Sequence, residues 1–263
     1  MDLIVEKNIM YNKIYDFCKV RNYGNIYKND TNQPPPRVEF LLNLLEEEGV
    51  DYELDRFDAK NGWSGKDCIG YNVILKGNSS KMVVAHHDVN NHKIDNANDN
   101  SASVINAIMV KKLKPEINVV LLDGEEVGGI GSKRLSEQIN RGQFGQIDWV
   151  LNLELTGRGG KYFFIGDYPG KLTDHIKSIF DCPVYQTPYN DSVTFRVHGI
   201  DSVVINPIPP LNEGRTSTVK WDENTYLDNS MLRNCHSDRD SIDTIDINDM
   251  KQFVEEIVLR ILE

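Results

Sequence analysis

The most constraining feature of this chain is an alternation. Short apolar runs over residues 82–85, 117–122, 149–153 and 202–205 are separated by amphipathic stretches over 101–113, 132–141 and 172–180. Runs this short read as strands buried on both faces, and the stretches between them read as helices. Parallel neighbours need a crossover, and a crossover helix needs a sheet face on which to bury its apolar stripe. The expected fold class is therefore α/β, a three-layer α/β/α arrangement around a central mixed, mostly parallel sheet. Upstream, helices are expected over 8–20 and 37–48. The second has Val38, Leu41, Leu42 and Leu45 at helical spacing and Gly49 as its stop. Strands are expected over 52–57 and 71–75. A last helix over 247–262 would carry Met250, Phe253, Val254, Ile257, Val258 and Ile261 on its inner face. No Pro/Gly/Ser linker divides the chain, so one domain over 1–263 is expected. The exception to regular patterning is 207–235, which contains Pro207, Pro209, Pro210 and Gly214. A loop of this length in a compact domain is usually functional or mobile.

Charge narrows the partners. With 29 Lys plus Arg against 40 Asp plus Glu, the net charge is −11, which argues against an electrostatic grip on nucleic acid or anionic lipid. No run approaches the ~18 apolar residues of a spanning helix. Cys18, Cys68, Cys182 and Cys235 form no CxxC pair, so neither a zinc ribbon nor a dithiol redox site is suggested, and free thiols are expected. The first residues carry charges every few positions with no apolar core of a signal peptide, so a cytoplasmic location is expected.

The chemistry gathers where strands end. His86-His87-Asp88 follows the strand over 82–85, Asp123-Gly124-Glu125-Glu126 follows 117–122, and Glu154 follows 149–153. Sites in open α/β sheets lie outside the carboxyl ends of the strands. In extended backbone His86 and Asp88 project to the same side, with His87 opposite, so Asp88 can hold the His86 ring in one tautomer. Asp99 precedes a helix within Asp95-Asn96-Ala97-Asn98-Asp99-Asn100-Ser101, where turn and cap chemistry alone would favour these residue types. The adjacent Glu125 and Glu126 can split roles, one binding a cation and the other accepting a proton. Glu154, between Leu153 and Leu155, is a carboxylate in an apolar setting, which is costly unless it is paired or metal-bound. His236 stands late, in Asn234-Cys235-His236-Ser237-Asp238. Each mark alone is weak; their order and common placement at strand ends are specific.

As a set, Ala85-His86-His87-Asp88, Ala97-Asn98-Asp99-Asn100-Ser101-Ala102-Ser103, Asp123-Gly124-Glu125-Glu126-Val127-Gly128 with Gly131-Ser132, Asn152-Leu153-Glu154, and Cys235-His236-Ser237 with Asp240 resemble the M28 family of di-zinc peptidases. The resemblance implies a zinc-dependent exopeptidase-like fold and two Zn2+ ions, with Mn2+ or Co2+ as possible substitutes. It implies that His86 and Glu154 bind the first metal, supported by Asp88, that Asp99 bridges, and that Glu126 and His236 bind the second. Glu125 is implied as the general base. Asp191 and Phe195 resemble the segment that lines the family's specificity pocket. This sequence departs from the family in Glu154, where Asp is more usual, in Ser103, where Gly is usual, and in Ser192, where the pocket segment has His.

The expected activity is removal of N-terminal residues from peptides, or from an amino-acylated small molecule, by metal-activated water. Competing readings are a mono-zinc glutaminyl cyclase, a small-molecule amidohydrolase, and a non-catalytic binding module on the peptidase fold. The segment 207–235 leads directly into His236, and its Arg215, Lys220, Trp221 and Tyr226 make it a candidate wall of the substrate pocket.

Overall fold

The structure, a computed structural model, describes residues 10–20, 33–90, 93–208 and 234–263. Its centre is an eight-stranded sheet of β1 (Glu53–Lys60), β2 (Asp67–Leu75), β3 (Lys81–His86), β4 (Asn118–Leu122), β5 (Trp149–Leu153), β6 (Phe163–Gly166), β7 (Val184–Tyr185) and β8 (Ser202–Pro207), in the order β1-β2-β4-β3-β5-β8-β6-β7. The central strands β4, β3, β5 and β8 run parallel. The antiparallel pairs β1/β2, β2/β4 and β6/β8 flank them. The helices are α1 (Ile14–Phe17), α2 (Pro36–Glu47), α3 (Ala102–Leu113), α4 (Ile130–Asn140), α5 (Lys171–Ile179), α6 (Asp191–Val197) and α7 (Ile247–Gln252). α7 continues through a wider turn, Phe253–Val258, into Leu259–Ile261.

The strand period divides the core. Val83 and Ala85 of β3, Val119 and Leu121 of β4, and Leu151 and Leu153 of β5 face one layer, packed with residues of α1, α2, α3, α5 and the C-terminal helix. Met82, Val84, Val120, Leu122 and Val150 face the other, where Leu135 and Ile139 of α4 and Phe195 of α6 cover them. All six residues expected on the inner face of the C-terminal helix are buried. Close packing at the edge of the site depends on Gly131, where a Cβ would stand 2.3 Å from the Asp123 carbonyl oxygen and 2.5 Å from Asn72 Oδ1. Gly131 therefore lets α4 begin directly above the end of β4.

Most expected elements lie within a few residues of their observed bounds. β2 begins earlier than expected because the hairpin with β1 pairs Cys68 with Ala59 and Gly70 with Phe57. β6, β7 and α6 were not expected. α6 carries β-branched Val193, Thr194 and Val197, which read against a helix; it starts because Asn190 accepts a 3.0 Å hydrogen bond from the Ser192 amide. All four cysteines are free thiols. Among the described residues no helix is long and apolar enough to cross a membrane.

Candidate functional site

Parallel strands deliver their polar ends to one edge. β3 ends at His86, β4 runs into Glu125 and Glu126, and β5 into Glu154. Asp99 sits in an irregular turn before α3 (φ −109°, ψ 84°). His86 Nε2 lies 3.2 Å from Asp99 Oδ1 and 3.7 Å from Glu154 Oε2. His236 Nε2 lies 3.2 Å from Asp99 Oδ2 and 3.1 Å from Glu126 Oε2. The two oxygens of Asp99 thus face different histidines. The nitrogen and oxygen atoms of His86, Asp99 and Glu154 lie within 4.8 Å of one another, and so do those of Asp99, Glu126 and His236. A third group, His86, Glu125 and Glu126, meets the same distance.

The supports come from distant parts of the chain. Asp88 Oδ1 lies 3.3 Å from His86 Nδ1, and its two oxygens accept hydrogen bonds from the Glu125 and Glu126 amides, each at 3.1 Å. One carboxylate therefore holds both the imidazole and the Glu125–Glu126 turn. Asp240 does the same for Asp99: its oxygens accept from the amides of Asn98 at 2.7 Å and Asp99 at 3.1 Å. Asn100 spans to the end of β5, donating to the Leu153 carbonyl and accepting from the Leu155 amide. Two non-glycine residues at the site take left-handed backbone, Leu155 (φ 55°) and His236 (φ 58°). Such conformations persist only where the surroundings impose them.

His87 points away, with Nε2 2.8 Å from the Tyr71 carbonyl oxygen. Asp123, despite its place in the Asp-Gly-Glu-Glu stretch, belongs to none of the clusters among the described residues; its Oδ2 accepts from the Tyr71 amide. The sequence pattern also gave no signal for Arg37. This side chain is buried; it donates from Nε to the His87 carbonyl at 2.5 Å and from Nη2 to Ser101 Oγ at 2.6 Å. Its Nη1 serves the Phe17 and Val20 carbonyls. Arg37 thus ties the segment after His86 to the segment after Asp99.

The charges do not balance within the protein. Burial pushes the Glu154 carboxyl up to about 8, with His86 opposing and Asp99, Asp191 and Glu126 adding to the rise. Burial likewise holds Glu125 well above the usual carboxylate range, against His86 and with Asp191, Glu154 and Glu126. Asp99 suffers the same burial, but hydrogen bonds from His236 and His86 outweigh it and keep its carboxyl low. Hydrogen bonds to Asp99 and Glu126 raise His236 to about 10. A crowd of carboxylates around two imidazoles, with nitrogen and oxygen donors converging, fits a divalent cation.

Beside these groups lies a cavity of about 390 Å3, with Leu155, Pro188, Tyr189, Val204, Asn206 and Cys235 among its walls. Phe195 is fully buried in the core layer beneath α4 and does not line the cavity, because helical α6 turns it toward the sheet. Asp191 is also fully buried and is not among the lining residues, but it lies close enough to Glu125 and Glu154 to raise their carboxyls; its own carboxyl is pushed up to about 6 by burial. The preceding segment, Thr187 to Asn190, forms the wall instead. Tyr226 and residues 209–233 lie outside the described residues.

Two substitutions test these supports. Asp88→Asn is expected to weaken metal binding ~10–100-fold, because an amide cannot both take the His86 ring proton and accept from two backbone amides; competition with a chromogenic chelator measures it. Arg37→Met is expected to lower unfolding stability by about 3 kcal/mol in a denaturant titration, since it takes the guanidinium donor from the Val20 and His87 carbonyls and from Ser101, while the Phe17 carbonyl keeps only the Val20 amide.

Residues 72–260 match the family model of peptidase family M28. No curated protein matches the sequence. Among solved structures, a glutaminyl cyclase from an Acidobacteriales bacterium superposes with a TM-score of 0.67 at 16% identity, covering 97% of this chain and 93% of that one. A leucine aminopeptidase precursor from Bacteroides thetaiotaomicron gives 0.64 at 19% identity, covering 97% and 96%. A zinc aminopeptidase from Bacillus subtilis gives 0.54 at 19% identity, covering 76% of this chain and 50% of that one. Because the matched span takes in well over half of the residues and every strand from β3 to β8, the chain belongs to peptidase family M28.

Proposed function

We propose that this protein is a zinc-dependent aminopeptidase that removes the N-terminal residue from a peptide or an amino-acylated small molecule. The observation that carries this reading is the sharing of Asp99, which turns one oxygen toward His86 and the other toward His236. His86, Asp99 and Glu154 would hold one ion, and Asp99, Glu126 and His236 the second. Imidazole and carboxylate donors suit zinc, and manganese or cobalt accept the same set. Zinc, when bound, supplies Lewis acidity toward a peptide carbonyl and brings the acidity of water near neutral pH.

The remaining work falls to the chain's own side chains. Glu125 takes a proton from the attacking water and passes it to the departing amine. Its amide is fixed by Asp88, so its carboxylate can move a proton without the turn rearranging. Asp88 holds the His86 ring, and Asp240 holds Asp99. The surrounding carboxylates favour a substrate that brings a positive charge, as a free N-terminal amine does. The apolar wall of Leu155 and Val204 suits the side chain of the first residue.

A glutaminyl cyclase activity is the second reading. It is favoured by the near-complete mutual coverage with the Acidobacteriales enzyme and by a second glutaminyl cyclase, from Fimbriiglobus ruber, at a TM-score of 0.65. Mass spectrometry of peptides beginning with Leu or Gln, incubated with the zinc-loaded protein with and without chelator, separates the two. Loss of the first residue supports the aminopeptidase, and loss of ammonia from the Gln peptides alone supports the cyclase. No change in any peptide would overturn both.

A further inference from the structure

Trp63, at the tip of the β1–β2 hairpin, is 66% exposed, yet it is held firmly. Its indole Nε1 donates to the Glu126 carbonyl at 3.0 Å. Its own amide and that of Ser64 donate to Asn61 Oδ1. The hairpin tip docks on the Glu125–Glu126 turn through the Gly62 amide and the Val127 carbonyl at 2.7 Å. The contact is so close that a Cβ on Gly128 (φ +95°) would lie 2.9 Å from Gly62 Cα. The Trp63 ring meets Tyr189 edge-on, with centroids 5.6 Å apart and planes at 76°. Tyr189 is 40% exposed and lines the cavity, its hydroxyl paired with Thr194 Oγ1 at 2.7 Å. A rigid aromatic pair therefore adjoins the cavity: Tyr189 lines it, and Trp63, fastened to the backbone of Glu126, packs against Tyr189.

We propose that Trp63 and Tyr189 form a binding site for an apolar or aromatic side chain at the second residue of a peptide substrate. This rests on the reading that the site acts at a peptide N-terminus, and it holds for hydrolysis and cyclisation alike. The first residue occupies the inner end, beside Leu155 and Val204, which are nearly inaccessible. The chain then leaves past Tyr189, which lines the cavity, and Trp63, the exposed aromatic packed against it. Aromatics already fixed in place lose little rotamer freedom on contact, so the apolar surface they cover appears as affinity.

The test uses the full chain, zinc-loaded and carrying Glu125→Gln, alone and combined with Trp63→Ala or Trp63→Phe. Calorimetry gives the Kd of tripeptide amides with Leu or Gln first and Phe or Ala second, and zinc content is checked in each sample. The parent is expected to bind the Phe peptides roughly 10-fold tighter than the Ala peptides, from one aromatic contact. Trp63→Ala is expected to bring that ratio within about 2-fold of unity, whereas Trp63→Phe, which keeps a ring but loses the bond to Glu126, retains most of it. Equal binding of Phe and Ala peptides by the parent, a preference that survives Trp63→Ala, the same loss in both variants, or no binding of any peptide would overturn the proposal. Failure of the enzymatic reading is seen separately, as wild-type protein that neither hydrolyses nor cyclises these peptides.

Discussion

Glu125→Gln is expected to lower turnover ~10²–10⁴-fold while leaving the bound metal in place. The amide is nearly the same size as the carboxylate but cannot accept a proton from water. The Glu125–Glu126 turn is held by backbone amides on Asp88, at 3.1 Å each, and not by the Glu125 carboxylate, so the variant should fold and keep its donors. Turnover and elemental metal content measured on one sample read both quantities together. Near wild-type turnover in a metal-loaded variant would reject the role of base. The grouping of His86, Glu125 and Glu126 within 4.8 Å allows the opposite assignment, in which Glu125 is a ligand and Glu126 the base. In that case Glu125→Gln loses metal along with activity.

Removing Asp99 should have the widest effect on the proposed metal centre. Each of its oxygens belongs to a different cluster, so Asp99→Ala is expected to abolish tight binding of both ions and all metal-dependent activity. His236→Ala should lose one ion and retain the one at His86, Asp99 and Glu154. Elemental analysis after dialysis against a weak chelator should give two zinc ions per wild-type chain, one per His236→Ala chain and none per Asp99→Ala chain. One ion in wild type would shift the balance toward the cyclase reading. Two ions remaining in Asp99→Ala would exclude a shared ligand. Circular dichroism guards against a folding defect, since Asp99 is buried and replacing it removes one carboxylate partner from each of His86 and His236.

How far the site could be read from the chain depended on the distance between cause and effect. The donors at the ends of β3, β4 and β5 were legible because an apolar run and the polar residue that ends it are adjacent in sequence, and a strand carries its last residue to a known edge. His86 and Asp88 were legible as a pair for the same reason, two residues apart on extended backbone. The six inner residues of the C-terminal helix were legible from their period alone. By contrast, nothing local announced that 191–197 winds into a helix, which buries Asp191 and Phe195 completely. Once it does, Phe195 turns into the core and Tyr189 becomes the wall.

The chain by itself thus determined the layers, the strand ends and the kind of donor at each, since periodicity and residue chemistry are local properties. Only the tertiary structure decided which donors come together and what holds them. Asp240 reaches the Asp99 amide across 141 positions, Arg37 reaches Ser101 across 64, and Trp63 reaches the Glu126 carbonyl across 63. The physical reason is that such contacts are set by crossover register and by the way helices and a hairpin dock on the sheet. These follow from packing the whole core at once.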